Sequence, residues 1–270
     1  MRSFENYVII SDGDGTLIGP DHEIPARNLD AIRSFVDRAG VFVLATGRPK
    51  NGAGHVTSKI PGLSLSVFFN GAMVYDHTNG NVLYSDPLPS GMEAPSRYVL
   101  ENHPKVGLEC FTAEEAWILQ DSFYTREHFA LLKEEPRFLS PDDLPAAGIL
   151  KMFITGETED LEEVRAALTE NFPDMFNAVR SSGVYLEIFS RTSNKGKALQ
   201  YLRSHFGGKR KMIAIGDGFN DVSMFREADG VFVPEDGEER IKSYGTVVCP
   251  SGRGAVADVI ERLEKEAVAL

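Results

Sequence analysis

Apolar positions in this chain fall in short continuous blocks separated by helical stripes. Tyr7-Val8-Ile9-Ile10 is bounded and β-branched, so it reads as a buried strand. Pro25 and Asn28 precede Leu29, Ile32, Phe35 and Val36, a helical stripe that ends near Gly40. Val41-Phe42-Val43-Leu44-Ala45 is a second continuous run. The order strand, helix, strand implies a right-handed unit with parallel strands. Ser66-Val67-Phe68-Phe69 leads to Asn70-Gly71, and Met73-Val74-Tyr75 with Asn81-Val82-Leu83-Tyr84 suggests a hairpin across Asn79-Gly80.

The pattern then changes. Between Pro87 and Ser190 the elements are mixed: strands at Trp117-Ile118-Leu119, Lys151 to Ile154 and Val184 to Phe189, a helix from Leu161 to Leu168, and a loop marked by Pro136, Pro141 and Pro145. Strand-helix alternation returns afterwards. Ser193 or Asn194 is placed to cap a helix with Ala198, Leu199, Leu202 and Phe206 on one face. Met212-Ile213-Ala214-Ile215 is a third strand, Val222, Phe225 and Ala228 favour a helix, and Gly230 to Val233 and a final helix with Val256, Val259, Ile260 and Leu263 complete the chain. The expected architecture is α/β: an open Rossmann-like parallel sheet core with an inserted α/β cap domain. Residues 1–82 and 190–270 form the core and 83–189 the cap.

The polar residues at the strand ends carry the chemistry. Asp12 and Asp14 come directly after the first strand, and Gly13 and Gly15 permit a turn sharp enough to aim both carboxylates at one point. Read alone, the stretch has three explanations. One is a glycine-rich turn with aspartates chosen for turn chemistry. Another is a calcium loop, because Asp12, Asp14 and Glu23 occupy the first, third and twelfth positions of the EF-hand pattern. That pattern requires glycine where Leu17 stands and a helix where a strand is expected. The remaining one is a phosphoryl-transfer site, which only distant residues decide. The second strand ends in Thr46-Gly47-Arg48 and the third in Gly216-Asp217. In an open α/β sheet the carboxyl ends of the strands face one crevice, so these residues converge. Carboxylates so gathered suit a hard divalent ion such as magnesium. Lys195, in the first turn of its helix, sits where cations are disfavoured unless an anion lies beside it.

Composition narrows the classes. With 270 residues, 42% hydrophobic and 25% charged, the chain has material for about two ordinary globular domains. A formal net charge of -12 opposes nucleic acid and anionic membrane surfaces. Cys110 and Cys249, the only two cysteines, lack metal-ligand spacing and read as structural thiols in a reducing compartment. The first residues show no secretory pattern and the first apolar run is too short to span a bilayer, so a cytoplasmic location is expected.

Four segments together, Asp12-Gly13-Asp14-Gly15-Thr16, Thr46-Gly47-Arg48, Lys195-Gly196-Lys197 and Gly216-Asp217-Gly218-Phe219-Asn220-Asp221, resemble in order and spacing the motifs of the haloacid dehalogenase superfamily, in particular its Cof-type phosphatases. The resemblance spans essentially the whole chain. Asn70-Gly71, Lys151 and Leu186-Glu187-Ile188 are also similar to features around the cap of that group. It implies a magnesium-dependent phosphomonoester hydrolase acting on a small phosphorylated metabolite, with sugar phosphates the leading class. Asp12 would be the nucleophile that forms an aspartyl-phosphate, and Asp14 the acid and base. Magnesium would be held by Asp12, the Asp14 carbonyl and Asp217. Thr46, Gly47 and Lys195 would bind the phosphoryl group, with Asn220 and Asp221 supporting. Asp14 disfavours dehalogenation and ion pumping, which the resemblance associates with chains lacking it. Arg48, Asn70, Lys151, Arg180 and Glu187 are possible substrate contacts. One departure is Val233-Pro234-Glu235-Asp236-Gly237, where Cof-type chains usually carry a small residue and an Asn-Ala pair. Two rivals remain: a phosphomutase of the phosphomannomutase kind, and a non-enzymatic receiver that is phosphorylated on aspartate.

Overall fold

The computed structural model describes residues 3–181 and 183–266. The chain forms two compact units, one from Met1–Arg48, Gly54–Tyr84 and Asn194–Leu270, the other from Pro49–Ala53 and Ser85–Ser193. Pro49–Ala53 lies outside the inserted stretch in sequence. It joins the second unit because Gly52 packs on Leu132 of that unit.

The first unit begins with β1 (Tyr7–Asp12), α1 (Ala26–Asp37), β2 (Val41–Ala45), the single turn α2 (Gly54–Thr57), β3 (Leu65–Phe68), β4 (Met73–Asp76) and β5 (Asn81–Ser85). The inserted unit comes next with α3 (Glu93–Asn102), β6 (Gly107–Phe111), β7 (Ala116–Gln120), α4 (Phe123–Leu132), β8 (Lys151–Thr155), α5 (Thr158–Asn171), β9 (Asn177–Arg180) and β10 (Tyr185–Phe189). The first unit resumes with α6 (Lys195–His205), β11 (Lys211–Ile215), α7 (Val222–Glu227), β12 (Gly230–Pro234), β13 (Thr246–Val248) and α8 (Ala255–Glu266).

The first unit's sheet runs β13-β12-β11-β1-β2-β3-β4-β5. It is parallel from β13 through β3, and β4 is antiparallel to β3. Both faces are covered, which is why these strands read as continuous apolar runs. Alternate residues of each strand face opposite ways. Ile9, Phe42, Leu44, Ile213 and Ile215 pack with α1 and α8 through Ile32, Phe35, Val256, Val259 and Ile260. Val8, Ile10, Val43, Ala45, Met212 and Ala214 pack with α6 and α7 through Ala198, Leu199, Leu202, Met224 and Phe225. Fully burying a side chain of this size contributes about 1.5–3 kcal/mol.

Strand order reverses between β1 and β11, where a crevice opens outside the carboxyl ends. Register sets the level: Asp12 lies opposite Ala45, and Ser11 opposite Ile215. The next residues in each segment, Thr46 and Gly216-Asp217, therefore start at the same edge as Asp12.

In the inserted unit a five-stranded sheet, β7-β6-β8-β10-β9, has antiparallel pairs throughout. Leu108, Cys110, Met152, Ile154, Leu186 and Ile188 face α3 and α5 through Val99, Leu161, Val164 and Leu168. Alternation sends Glu109, Phe111, Lys151, Phe153, Tyr185 and Glu187 to the opposite face. There His128 of α4 hydrogen-bonds the buried Glu109 at 2.6 Å. Among the described residues no helix is long and apolar enough to cross a membrane.

Candidate active site

The crevice of the first unit gathers the strand-end aspartates. One carboxylate oxygen from each of Asp12, Asp217 and Asp221 lies within 4.8 Å of the others. Asp12 and Asp221 are buried and Asp217 is half-buried. Lys195, 1% exposed, donates from Nζ to Asp12 Oδ1 and, at 2.6 Å, to Asp221 Oδ1. The anions that justify a lysine at this helix start thus include the chain's own carboxylates. Burial alone would push the Lys195 pKa down, but Asp12 and Asp221 more than offset it, so the side chain stays an ammonium ion.

Three carboxylates face one ammonium, and the imbalance shows in Asp12. Its pKa is held well above the usual carboxylate range, first by burial, with Asp221 and Asp217 adding to it while Lys195 opposes. Burial raises Asp217 as well, against the hydrogen bond that Thr16 Oγ1 donates to its Oδ1 at 2.9 Å. Uncompensated charge on closely spaced oxygens is what a hard divalent cation relieves, so the donor set fits one. Asp221 is already engaged, because its Oδ2 accepts from the backbone N–H of Asp217 at 3.0 Å and Gly218 at 3.1 Å. Asp12 and Asp217 are therefore the pair best placed to hold a cation, with Asp221 fixing the loop and the lysine.

Asp14 stands apart from this cluster. Its half-exposed carboxylate takes both arms of Arg48, Nε to Oδ2 at 2.9 Å and Nη2 to Oδ1 at 2.6 Å. That bidentate grip was not foreseen from the sequence, where Arg48 is a substrate candidate. Thr46 is buried at the end of β2, and its Oγ1 accepts the Arg48 N–H at 3.2 Å. Gly47 lies against the Asn70 amide, and Asn220 Nδ2 donates to Asn70 Oδ1 at 3.3 Å. Core motif residues from all four segments thus line one crevice. Lys151 and Glu187 pair at 2.6 Å inside the inserted unit. Arg180 binds Glu162 of α5 at 3.4 Å and the Gly183 carbonyl at 3.1 Å.

Two glycines have steric reasons. Gly15 (φ 78°) lies where any Cβ would strike the Asp217 carboxylate. Gly71 (φ 108°) lets the backbone pass the carbonyl of Asn194, whose side chain caps α6 by accepting from Lys197 N–H at 3.0 Å. Alanine at Gly71 would displace the helix start that positions Lys195. Gly71→Ala is expected to lower stability by about 1–3 kcal/mol, the scale of local backbone strain. Chemical denaturation checks this, and an unchanged midpoint would refute it.

The family model of the haloacid dehalogenase-like hydrolase matches residues 9–260. The chain belongs to this family. A Haemophilus influenzae protein, provisionally named a phosphatase, is 30% identical over 97% of this chain and 93% of its own. A haloacid dehalogenase-like hydrolase from Bacteroides thetaiotaomicron superposes with a TM-score of 0.85 at 24% identity, covering 95% of this chain and 99% of that one. The HMP-PP phosphatase of Serratia proteamaculans is 28% identical over 79% of this chain and 78% of its own. The superposition with the Bacteroides protein shows that its fold is shared, including the α/β core in which the strand-end crevice lies.

Proposed function

We propose that the chain is a magnesium-dependent phosphomonoester hydrolase that works through an aspartyl-phosphate on Asp12. The observation that carries this reading is Asp12 itself: a buried carboxylate at the end of the central β1, beside Lys195 and Asp217, with a second aspartate two residues on. In the first step an Asp12 oxygen forms a bond to phosphorus while the bond to the leaving-group oxygen breaks. Asp14 gives that oxygen its proton. In the second step Asp14 takes a proton from water, whose oxygen bonds to phosphorus as the Asp12–phosphorus bond breaks and inorganic phosphate leaves. Thr46, the backbone at Gly47 and Lys195 hold the phosphoryl oxygens, and Asp221 and Asn220 keep the loop and lysine in place. Magnesium, held by Asp12, Asp217 and the Asp14 carbonyl, would neutralise charge on the transferring group.

For Asp14 to donate a proton, Arg48 must release it, so Arg48 is placed to exchange Asp14 for a substrate oxygen. The inserted unit is the proposed cap, which selects the leaving group. A small sugar phosphate is the proposed substrate class, and the net charge of -12 argues against nucleic acid or an anionic membrane as partner. The test is a panel of phosphomonoesters with phosphate release measured over many turnovers. Sustained release supports the hydrolase. A single stoichiometric burst would favour a receiver, and phosphoryl exchange within a labelled sugar bisphosphate without release would favour a mutase.

A further inference from the structure

The segment where this chain departs from the Cof-type pattern turns back onto the catalytic loop. After β12, Gly237 N–H donates to the Pro234 carbonyl at 2.9 Å, and Glu238 N–H donates to the Asp217 carbonyl at 2.9 Å. Asp236 is committed, accepting from Ser251 N–H at 2.8 Å and Ser251 Oγ at 2.6 Å. Glu238 differs. It is exposed, its carboxylate has no ion-pair partner among the described residues, and its Oε1 lies 3.4 Å from where a Cβ on Gly218 would stand. Asn220 Oδ1 lies 2.8 Å from the same point. A carboxylate and an amide oxygen thus stand at the crevice rim, next to the residue after Asp217.

We propose that Glu238 is a specificity-determining residue, which favours phosphomonoesters with a neutral, hydroxyl-rich leaving group over those whose leaving group carries a second anion. This rests on the hydrolase reading. The cations of the crevice, Lys195 and Arg48, already hold Asp12, Asp221 and Asp14. Arg48, once released from Asp14, is turned to the phosphoryl group, so a carboxylate or second phosphate on the leaving group that reaches this rim would meet the Glu238 carboxylate, whereas a hydroxyl can donate to Glu238 or Asn220. One like charge about 8 Å away at the water-facing edge of a protein changes binding by about two- to sixfold.

The test compares glucose 6-phosphate with 6-phosphogluconate, which share a carbon skeleton and differ by a carboxylate. The kcat/KM ratio of acid to neutral ester is measured for the wild type, Glu238→Gln and Glu238→Lys, at low and high salt. The ratio is expected to rise by about two- to sixfold in Glu238→Gln and further in Glu238→Lys, mainly through KM, and the differences should shrink as salt screens them. A loop with a merely structural role would change both substrates alike. Variants with wild-type melting curves and an unchanged ratio at low salt would overturn the inference while leaving the hydrolase reading intact. A wild type that cleaves no phosphomonoester would overturn that reading and the inference with it.

Discussion

Asp12→Asn is expected to abolish turnover of every phosphomonoester, because the amide has no carboxylate oxygen with which to attack phosphorus. The neighbouring change should behave differently. Asp14→Asn leaves the Asp12 nucleophile in place but removes the proton donor, so its cost depends on the leaving group. General acid catalysis is worth about a hundredfold to ten-thousandfold. Alkyl phosphates should lose activity on that scale, and p-nitrophenyl phosphate, whose leaving group needs little protonation, should lose far less in its first step. The first-turnover burst and kcat/KM, measured with both ester types, decide the assignment, because Asp14 also serves the second step that the two esters share. Equal losses on both esters would deny Asp14 its role as acid, and activity retained in Asp12→Asn would exclude Asp12 as nucleophile.

Removing divalent cations is expected to have an effect as large. Lys195 pairs with Asp12 and Asp221, with Asp217 beside them, and the Asp12 pKa is raised first by burial and then by Asp221 and Asp217, against the pull of Lys195. Excess chelator should abolish turnover and added magnesium restore it. The pH dependence has a definite sign. A cation requires Asp12 ionised, while the metal-free protein holds a proton there at a pH where an ordinary carboxylate would not, so binding releases a proton. Magnesium affinity should therefore weaken as pH falls through that raised value, by up to about tenfold per unit for a single proton. Calorimetric titration in buffers of different ionisation heat measures the release. Full activity in excess chelator would contradict the account.

The strand ends were legible because parallel strands buried on both faces leave unbroken apolar runs, and the polar residues after those runs must all lie at one edge. Asp12, Thr46 and Asp217 could be brought together on that ground alone. The pairing of Lys195 with Asp12 was not legible, because the two lie 183 positions apart. An isolated lysine near a helix start says only that some anion is near. The bidentate hold of Arg48 on Asp14 left no trace either, since it depends on how two loops turn.

Most of what the sequence missed lies in the inserted unit. In β6, Gly107–Phe111, the middle residue is the buried Glu109, made tolerable by His128, so the run did not read as a strand. In α4 the exposed Phe123 and Leu131, each 71% accessible, blur the helical stripe. Pro95 inside α3 hides that helix, and β9 and β13 are too short to show a period. Each of these is settled by tertiary partners rather than by local pattern.

The most direct test of the central claim is rapid acid quench of the enzyme during turnover, with peptide mass spectrometry of the quenched protein. A phosphoryl group is expected on the carboxylate of Asp12 in the wild type and in Asp14→Asn, and none in Asp12→Asn. A phosphoryl group on another residue, or none in Asp14→Asn while p-nitrophenol is still released in a burst, would contradict the claim.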